Sequence, residues 1–413
     1  MIKRGLGSIL GKAATDVVIV SALRTPFTKA TRGGLANMSP EELLSVVLDA
    51  TIKRTGVDPA QVQDVLAGAV LQTLSGQKAT AMAVKHAGFP FTTTVNTINR
   101  QCSSSAQAVS YLAGTIRSGA IDCGLAAGVE SMTADYFPHR GIPTRIAQEL
   151  KDSPFQEARD VLMPMGITSE NVAAEFGISR DDQDVFGAES HRKTIAARES
   201  GYFEREIVPV LAREVPDPKA PPKDSSEPVK WVTVSQDDGV RAGITVDKLA
   251  KLKPAFSETG TTTAGNSSQI TDGASALLLM TRAKAEALGM QPIGKFVTST
   301  VAGVPARIMG IAPSVAVPAL LDLAGLSVAD VDIFELNEAF ASQSLYCIRM
   351  IGVDPAKVNP HGGAIAIGHP LGATGGRCIA TLLNGLRTTG GKVGVVSMCA
   401  STGQGYAGLF VAE

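Results

Sequence analysis

The chain has 413 residues, of which 44% are hydrophobic and 19% are charged, and its formal net charge at pH 7 is −1. This length predicts two or three structural units, and the balanced charge argues against a broad nucleic-acid-binding surface. No apolar run reaches the ~18 residues needed to span a bilayer. The five cysteines form no CxxC pair, so neither a zinc site nor a secreted disulfide framework is expected.

The first fifteen residues, MIKRGLGSILGKAAT, carry three basic groups and no acid, and their apolar side chains fall on one face of a helix. A mitochondrial presequence has this character, and a disordered or surface-docked start is the alternative. Residues 1–15 are therefore interpreted as an N-terminal extension or a targeting segment.

Residues 16–138 alternate between strand-like and helix-like segments. DVVIVSALRTPF, VQDVLAGAVL, TTTVNTI and CGLAAGVESM have the apolar character of buried strands, and helical patterns separate them. The first predicted helix follows Ser39, and Glu42 lies three residues further on, as in a capping box. This alternation predicts an α/β fold in which helices cover both faces of a parallel or mixed sheet.

The second part of the chain begins with a change in composition. Between residues 139 and 263 the charge density rises and a Pro-rich stretch, VPDPKAPPKDSSEPVK, interrupts polar helical segments, which predicts an inserted, solvated subdomain. Residues 264–284 return to an apolar strand that completes the first half. From 285 to 413 the strand–helix order starts again, and KVGVVSMCASTGQG echoes IDCGLAAGVESM. We infer an internal duplication, whose corresponding loops would converge on one shared site.

Four side chains at predicted strand ends combine into a reactive set: Cys102 in NRQCSSS, Asn337 in ELNEAF, His369 in GGAIAIGHPLGATG and Cys399 in SMCASTGQG. Each of these residues also has a purely structural explanation when taken alone. The cysteines could be small core hydrophobes, the histidine could bond to the local backbone, and the asparagine could cap a helix. Together they supply the parts of covalent acyl transfer, namely a nucleophile, an activating base and oxyanion donors. The thiolate of Cys102 would be favoured by the N-terminus of the helix that follows it.

NRQCSS, GVESM, TAGNSSQ, NEAFA, GGAIAIGHPLGATG and a terminal C-x-x-x-G-x-G, in this order and spacing, resemble the thiolase family. LMPMGITSENVA and LAKLKPAF resemble the degradative 3-ketoacyl-CoA thiolases of eukaryotic peroxisomes, and the resemblance runs from about residue 16 to 411. It implies the α/β thiolase fold, with two similar βαβαβ-type halves in a layered α/β/α arrangement and an inserted loop subdomain that binds coenzyme A (CoA). It also implies an acyltransferase of fatty-acid β-oxidation, which cleaves 3-ketoacyl-CoA with CoA to acetyl-CoA and a chain-shortened acyl-CoA.

The resemblance assigns a role to each reactive side chain. Cys102 matches the nucleophile that holds the shortened acyl chain as a thioester, and His369 matches the residue that activates it and donates a hydrogen bond to the leaving enolate. Asn337 matches the residue that holds a water as a second donor there. Cys399 matches the acid/base that protonates the enolate and then deprotonates CoA, and a thiol pKa of about 8.5 can be tuned towards neutrality for this task. The second oxyanion site would use the backbone N–H groups of Cys102 and Ser401.

Four further positions match CoA-binding residues of the family. Arg241 matches a phosphate-contacting arginine, Ser268 a pantetheine contact, and Met165 and Met309 apolar pocket residues. CoA is thus expected as a substrate, with no permanently bound cofactor and no metal. The resemblance also implies a homodimer or homotetramer that binds 3-ketoacyl-CoA and CoA, with no nucleic-acid partner and no transmembrane segment.

Two positions depart from the family pattern, because Ser105 and Ser401 stand where glycine is usual. If the glycine at 401 is needed for a positive φ, serine is strained there, whereas a position used only for its N–H accepts serine. Two other functions stay open at this point. One is an acetoacetyl-CoA (biosynthetic) thiolase, and the other is a non-catalytic acyl-CoA or lipid carrier, which only Ser401 supports.

The family resemblance places the protein in the peroxisome. The start of the chain does not fit the peroxisomal nonapeptide pattern, and its final Val-Ala-Glu is not a peroxisomal tripeptide. The mitochondrial matrix is therefore the alternative compartment.

Overall fold

A computed structural model describes residues 5–137, 141–142, 145–216 and 228–413. Most of the Pro-rich stretch at 215–230 lies outside these described residues. The strands within them are β1 (Val17–Arg24), β2 (Thr28–Lys29), β3 (Asp64–Gly68), β4 (Thr94–Ile98), β5 (Cys123–Ser131), β6 (Val210–Arg213), β7 (Trp231–Val234), β8 (Thr271–Thr281), β9 (Gly294–Gly303), β10 (Ile333–Leu336), β11 (Val393–Ala400) and β12 (Gln404–Ala412). The α-helices are α1 (Gly5–Leu10), α2 (Pro40–Thr55), α3 (Gln77–His86), α4 (Ser104–Arg117), α5 (Met132–Asp135), α6 (Gln148–Lys151), α7 (Gln156–Asp160), α8 (Met165–Phe176), α9 (Arg180–Glu199), α10 (Val246–Ala250), α11 (Arg282–Ala287), α12 (Pro313–Ala324), α13 (Ala341–Ile351), α14 (Ala364–Ile367) and α15 (Thr374–Thr389).

The main sheet is mixed and has the order β10-β11-β12-β9-β1-β8-β5-β3-β4, with β2 paired to β8. Its two sides meet where β1 and β9 pair antiparallel over Val18–Lys295 and Ile19–Gly294. Outward from this junction the order is β1-β8-β5-β3-β4 on one side and β9-β12-β11-β10 on the other. Parallel pairing joins β5, β3 and β4 in the first half and β11 and β10 in the second. From the junction outwards, the first four strands of each half thus follow the same succession, and the first half adds β4 at its edge. The chain boundaries at 139, 263 and 285 stay predictions.

Three apolar clusters show how the layers stack. Helices α2 and α3 pack on the outer face of the first half, helices α4 and α15 pack between the halves, and helices α12 and α13 cover the outer face of the second half. In β8, Leu277 and Leu279 face the central layer, while Leu278 and Met280 face the outer one. Burial on both faces explains why the second part of this strand, residues 276–280, is an unbroken apolar run.

The local predictions succeed where the signal is local. Helix α2 begins at Pro40, and the backbone N–H of Ser39 donates to Oε2 of Glu42 at 2.9 Å, as the predicted capping box requires. The strand expected for VQDVLAGAVL is shorter, because it ends at Gly68, and of the next N–H groups that of Ala69 still donates to the carbonyl oxygen of Ile98 in β4. Those of residues 70 and 71 donate instead to a buried carboxylate of β5.

The start of the described chain docks on the second half. Ile9 of α1 is buried in the outer cluster of that half, and Nζ of Lys295 donates to the carbonyl oxygen of Gly11 at 2.5 Å. Among the described residues, no helix is long and apolar enough to cross a membrane.

Candidate active site

Cys102 lies in a sharp turn between β4 and α4. The preceding Gln101 has φ of 51°, in the left-handed region, and its backbone N–H donates to Oδ1 of Asn99 at 2.9 Å. A non-glycine residue in this region costs conformational energy and is common where a loop must aim a functional side chain. Cys102 is buried, at 7% exposure, immediately before the helix that packs between the two halves.

The environment of Cys102 keeps its thiol protonated at neutral pH. Burial raises the pKa of Cys102 to about 11, and hydrogen bonds from the backbone N–H groups of Ser401 and of Cys102 itself offset only part of this. The charge of the nearby Glu130 raises the pKa further. In the free protein desolvation therefore outweighs the two N–H hydrogen bonds, and a thiolate favoured by the helix N-terminus stays a prediction.

Ser401 occupies its position without backbone strain. Thr402 and Gly403 have φ of 73° and 83°, whereas Ser401 is not among the residues with positive φ. Its N–H points at the thiol of Cys102, so the position uses a backbone group that serine also has. Serine in place of the family glycine at position 401 therefore gives no support to the non-catalytic carrier.

Cys399 lies near the end of β11, next to the Cys102 loop. Its Sγ is 3.5 Å from Oε1 of Gln343, to which it donates, and its side chain is buried. Burial raises the pKa of Cys399 well above its usual value, and the neighbouring thiols of Cys102 and Cys347 act in the same direction. In the free protein Cys399 is thus held as a neutral thiol, and tuning of its pKa towards neutrality stays a prediction.

The hydrogen bonds of His369 fix its tautomer. The hydroxyl of Thr374 donates its one proton to the carbonyl oxygen of Pro370 at 3.0 Å, so it accepts from Nδ1 of His369 at 2.7 Å. The ring proton is therefore on Nδ1, and Nε2, which lies 3.4 Å from Nδ2 of Asn337, carries the lone pair. Burial lowers the pKa of His369 to about 3, and the charge of Arg377 acts in the same direction. At neutral pH this imidazole is a neutral base with Nε2 as its accepting atom.

The expectation that all four reactive residues lie at strand ends is only partly right. Asn337 follows β10 directly, and its N–H donates to the carbonyl oxygen of Ser397 on the neighbouring β11, which also carries Cys399. His369 instead follows the short helix α14. The N–H of Ile365, in this short helix, donates to Oε2 of Glu338 at 3.3 Å.

The loops of the two halves touch directly. The N–H of Gly376, in the first turn of α15, donates to Oγ of Ser105 in α4 at 2.9 Å. A β-carbon on Gly375 would lie 2.5 Å from the backbone nitrogen of Ala106. Ser105, the second departure from the family pattern, thus satisfies one of the free N–H groups at the start of α15.

The predicted CoA-contacting residues divide into two groups. Met309 and Cys399 belong to one buried apolar cluster with Met165 packed against it, and the N–H of Ser268 donates to Ala339 of the same cluster at 2.9 Å. Arg241 is exposed on a separate loop, where its backbone N–H donates to Nδ1 of His191 at 3.3 Å. The structure thus places Ser268, Met165 and Met309 at the apolar cluster that contains Cys399, and it places Arg241 at the surface.

Three residues that contact this site were not found from the sequence. Thr374 forms a hydrogen bond with His369, and Gln343 accepts one from Cys399. Phe256 packs edge-on against Phe340, with 6.1 Å between the ring centroids. Thr374 lies in GGAIAIGHPLGATG and Phe256 lies in LAKLKPAF, two motifs that carry the family resemblance. Across the described parts of the chain, no group of three or more His, Cys, Asp or Glu side chains is placed to hold a metal ion.

Comparisons with known proteins decide the family. Residues 17–283 match the family model described as "Thiolase, N-terminal domain", and residues 290–412 match "Thiolase, C-terminal domain". The chain belongs to the thiolase family. The predicted family, fold class and enzyme class are therefore confirmed, whereas the roles of single residues stay predictions.

Two curated thiolases match nearly the whole chain. "3-ketoacyl-CoA thiolase, peroxisomal" of Yarrowia lipolytica is 49% identical over 410 residues, which is 99% of this chain and 96% of that protein. "3-ketoacyl-CoA thiolase B, peroxisomal" of Rattus norvegicus is 50% identical over 399 residues, which is 96% of this chain and 91% of that protein.

Two solved thiolase-fold structures superpose closely. The dimeric peroxisomal thiolase of Saccharomyces cerevisiae gives a TM-score of 0.91 at 42% identity, covering 99% of this chain and all of that one. The Bacillus anthracis acetyl-CoA acetyltransferase gives 0.84 at 36% identity, covering 96% of this chain and 99% of that one.

Proposed function

We propose that this protein is a 3-ketoacyl-CoA thiolase of fatty-acid β-oxidation, which cleaves 3-ketoacyl-CoA with CoA to acetyl-CoA and a chain-shortened acyl-CoA. The observation that carries the proposal is the buried Cys102 thiol, which accepts the N–H of Ser401 and neighbours a second thiol, that of Cys399. One thiol can carry an acyl group while the other exchanges protons. The names of relatives that are about half identical over almost the entire chain support the same reaction.

In the first half-reaction, Sγ of Cys102 attacks the 3-keto carbon and its proton passes to Nε2 of His369. Since the pKa of the thiol is about 11 and that of the imidazole about 3, the proton moves as the S–C bond forms and not beforehand. The bond between C2 and C3 then breaks, and its electron pair forms the enolate of acetyl-CoA. The Nε2–H of His369 stabilises the enolate oxygen, together with a water held by Asn337.

Cys399 completes both half-reactions in this proposal. Its S–H protonates the enolate at C2 and releases acetyl-CoA, which leaves a thiolate. That thiolate takes the proton of the incoming CoA thiol, whose sulfur attacks the thioester on Cys102, releasing the shortened acyl-CoA as the departing Cys102 sulfur recovers its proton from Nε2 of His369. The N–H groups of Cys102 and Ser401 stabilise the oxyanion of that step. The high pKa of Cys399 fits its starting role as a proton donor.

CoA serves as a substrate, with no permanently bound cofactor. Its pantetheine arm would pass Ser268 and the apolar surface of Met165 and Met309, and its phosphates would meet Arg241. Charge-assisted bonds from an exposed arginine suit phosphate oxygens. We further propose a homodimer in the peroxisome, as the titles of the Saccharomyces and Yarrowia proteins state for those relatives.

The test compares thiolysis of 3-ketohexadecanoyl-CoA with that of acetoacetyl-CoA, using purified protein and free CoA. Faster cleavage of the long substrate supports the β-oxidation assignment. Activity confined to acetoacetyl-CoA would favour the acetyl-CoA acetyltransferase reaction named for the Bacillus anthracis structure. Cleavage of neither would contradict the proposal and favour the carrier.

A further inference from the structure

A buried carboxylate on β5 binds two loops from opposite halves of the molecule. Glu130 is fully buried, and its Oε1 accepts the N–H of Leu71 at 3.1 Å. Its Oε2 accepts the N–H of Val70 at 3.2 Å and that of Gly372 at 3.0 Å. Val70 and Leu71 follow β3 in the first half, whereas Gly372 lies in the second half, between His369 and Thr374.

The loop at Gly372 reaches the first half without any intervening side chain. A β-carbon on Gly372 would lie 2.6 Å from the carbonyl oxygens of both Gly68 and Val129. A β-carbon on Gly128 would lie 2.1 Å from the carbonyl oxygen of Gly372. The backbones are therefore in direct contact, and a slide of this loop would carry the ring of His369 with it.

We infer that Glu130 is a positioning residue that sets His369 against Cys102 by holding the backbone of the His369 loop at Gly372. The inference rests on the roles proposed above for these two residues. A carboxylate is suited to this task because it accepts hydrogen bonds at both oxygens and donates none. A glutamine has one accepting oxygen and would turn an NH₂ group towards one of the backbone N–H groups.

The same carboxylate also acts on the nucleophile. Burial raises the pKa of Glu130 to about 7, and the three N–H bonds lower it in part. Above that pH its negative charge opposes ionisation of Cys102. Removal of the charge should thus make the thiol more acidic while the His369 loop loses its anchor. If Glu130 only stabilised the fold, its removal would not lower kcat while it made the Cys102 thiol more reactive.

The test uses Glu130→Gln in the full chain. We expect kcat for thiolysis to fall about 100-fold, because an ångström of misplacement can cost that much, while KM for CoA stays within about twofold. At pH 8.5 the rate of Cys102 alkylation by iodoacetamide should rise about threefold, which corresponds to half a pKa unit. The matched control is Glu206→Gln, which removes another fully buried carboxylate, whose partner is Arg24. It should lower the melting temperature without the paired change in kcat and alkylation.

If Glu130→Gln does not fold, Glu130→Asp is the second variant to measure, because it keeps the negative charge but shortens the side chain by one methylene. We expect a lower kcat with wild-type alkylation. Wild-type kcat in either soluble variant, or a parallel fall of kcat and alkylation in Glu130→Gln, would overturn the inference. An inactive wild-type protein, or an active Cys102→Ala variant, would instead refute the proposed function, so the two failures are distinguishable.

Discussion

The two halves build corresponding loops with different lengths and different chemistry. In the first half, β4 passes through one left-handed residue to Cys102 and then directly into α4. In the second half, Val358 makes only an isolated parallel bridge to Phe334, and the chain forms α14 before it reaches His369 and then α15. The short loop keeps a thiol at the start of a helix, whereas the long loop brings the backbone N–H of His369 to the carbonyl oxygen of Gln269 in the first half.

The strands next to these loops differ in a related way. The end of β5 carries Glu130, which holds backbone N–H groups of both halves, while the end of β11 carries Cys399, which bonds to Gln343. In the proposed mechanism one half thus contributes the nucleophile and an anchoring carboxylate, and the other contributes the base and the second thiol. The comparison shows that a repeated α/β unit can supply non-equivalent parts to one site once its loops differ.

The largest effect should come from Cys102→Ala, since Cys102 is the proposed nucleophile and alanine has no thiol to hold the acyl chain. We expect kcat to fall by at least about 10⁴-fold, with CoA binding retained in titration calorimetry. The control is Cys123→Ala, which removes a cysteine buried in the outer core. Full turnover of Cys102→Ala would refute covalent catalysis.

Cys399→Ala should lower kcat by about 10³-fold, within the usual contribution of a general acid or base. Iodoacetamide labelling of Cys102, followed by mass spectrometry, should persist in this variant. Cys347→Ala is the matched control, because its thiol is buried beside the same cluster and donates to the carbonyl oxygen of Gly310. An equal loss in both variants would indicate repacking and not lost proton transfer.

Thr374→Val tests the tautomer of His369. The buried Nδ1–H would lose its acceptor, at a cost of about 1–3 kcal/mol, so kcat should fall about 10- to 100-fold in steady-state assays. Thr374→Ser restores the hydroxyl and should recover most of the rate. A valine variant with wild-type kcat would show that the ring is held by other contacts.

The smallest effect concerns another histidine of the long second-half loop. His361 stacks on Tyr202 at 3.7 Å between centroids, its Nδ1 has no hydrogen-bond partner among the described residues, and burial lowers its pKa to about 4. The pKa of His361 in the folded protein is thus lower than its value of about 6.5 in the unfolded chain. This difference contributes stability that is fully present above pH 6.5 and is lost as the pH falls towards 4. His361→Phe keeps the stack without this loss.

The unfolding free energy of His361→Phe, measured by urea denaturation, should therefore be close to that of the wild type at pH 8. Below pH 6.5 the variant should gain about 1.4 kcal/mol over the wild type for each pH unit, down to about pH 4. Parallel pH curves for the two proteins would contradict the lowered pKa.

Local sequence determined much of the molecule, because its signals act between residues that are close in the chain. The capping box of Ser39 and Glu42, the apolar run of β8 and the turn before α4 each depend on a few neighbouring residues. The motifs around Cys102 and His369 sufficed for the family, which the comparisons confirm.

Only the tertiary structure decided how these parts behave, because burial and hydrogen bonding depend on residues far apart in the chain. The raised pKa of Cys102 comes from packing between halves, and the tautomer of His369 follows from the chain of bonds through Thr374. The anchoring of that loop by Glu130 joins positions 242 residues apart. A linear pattern records which groups are present, and the fold decides which of them lose water and which find a partner.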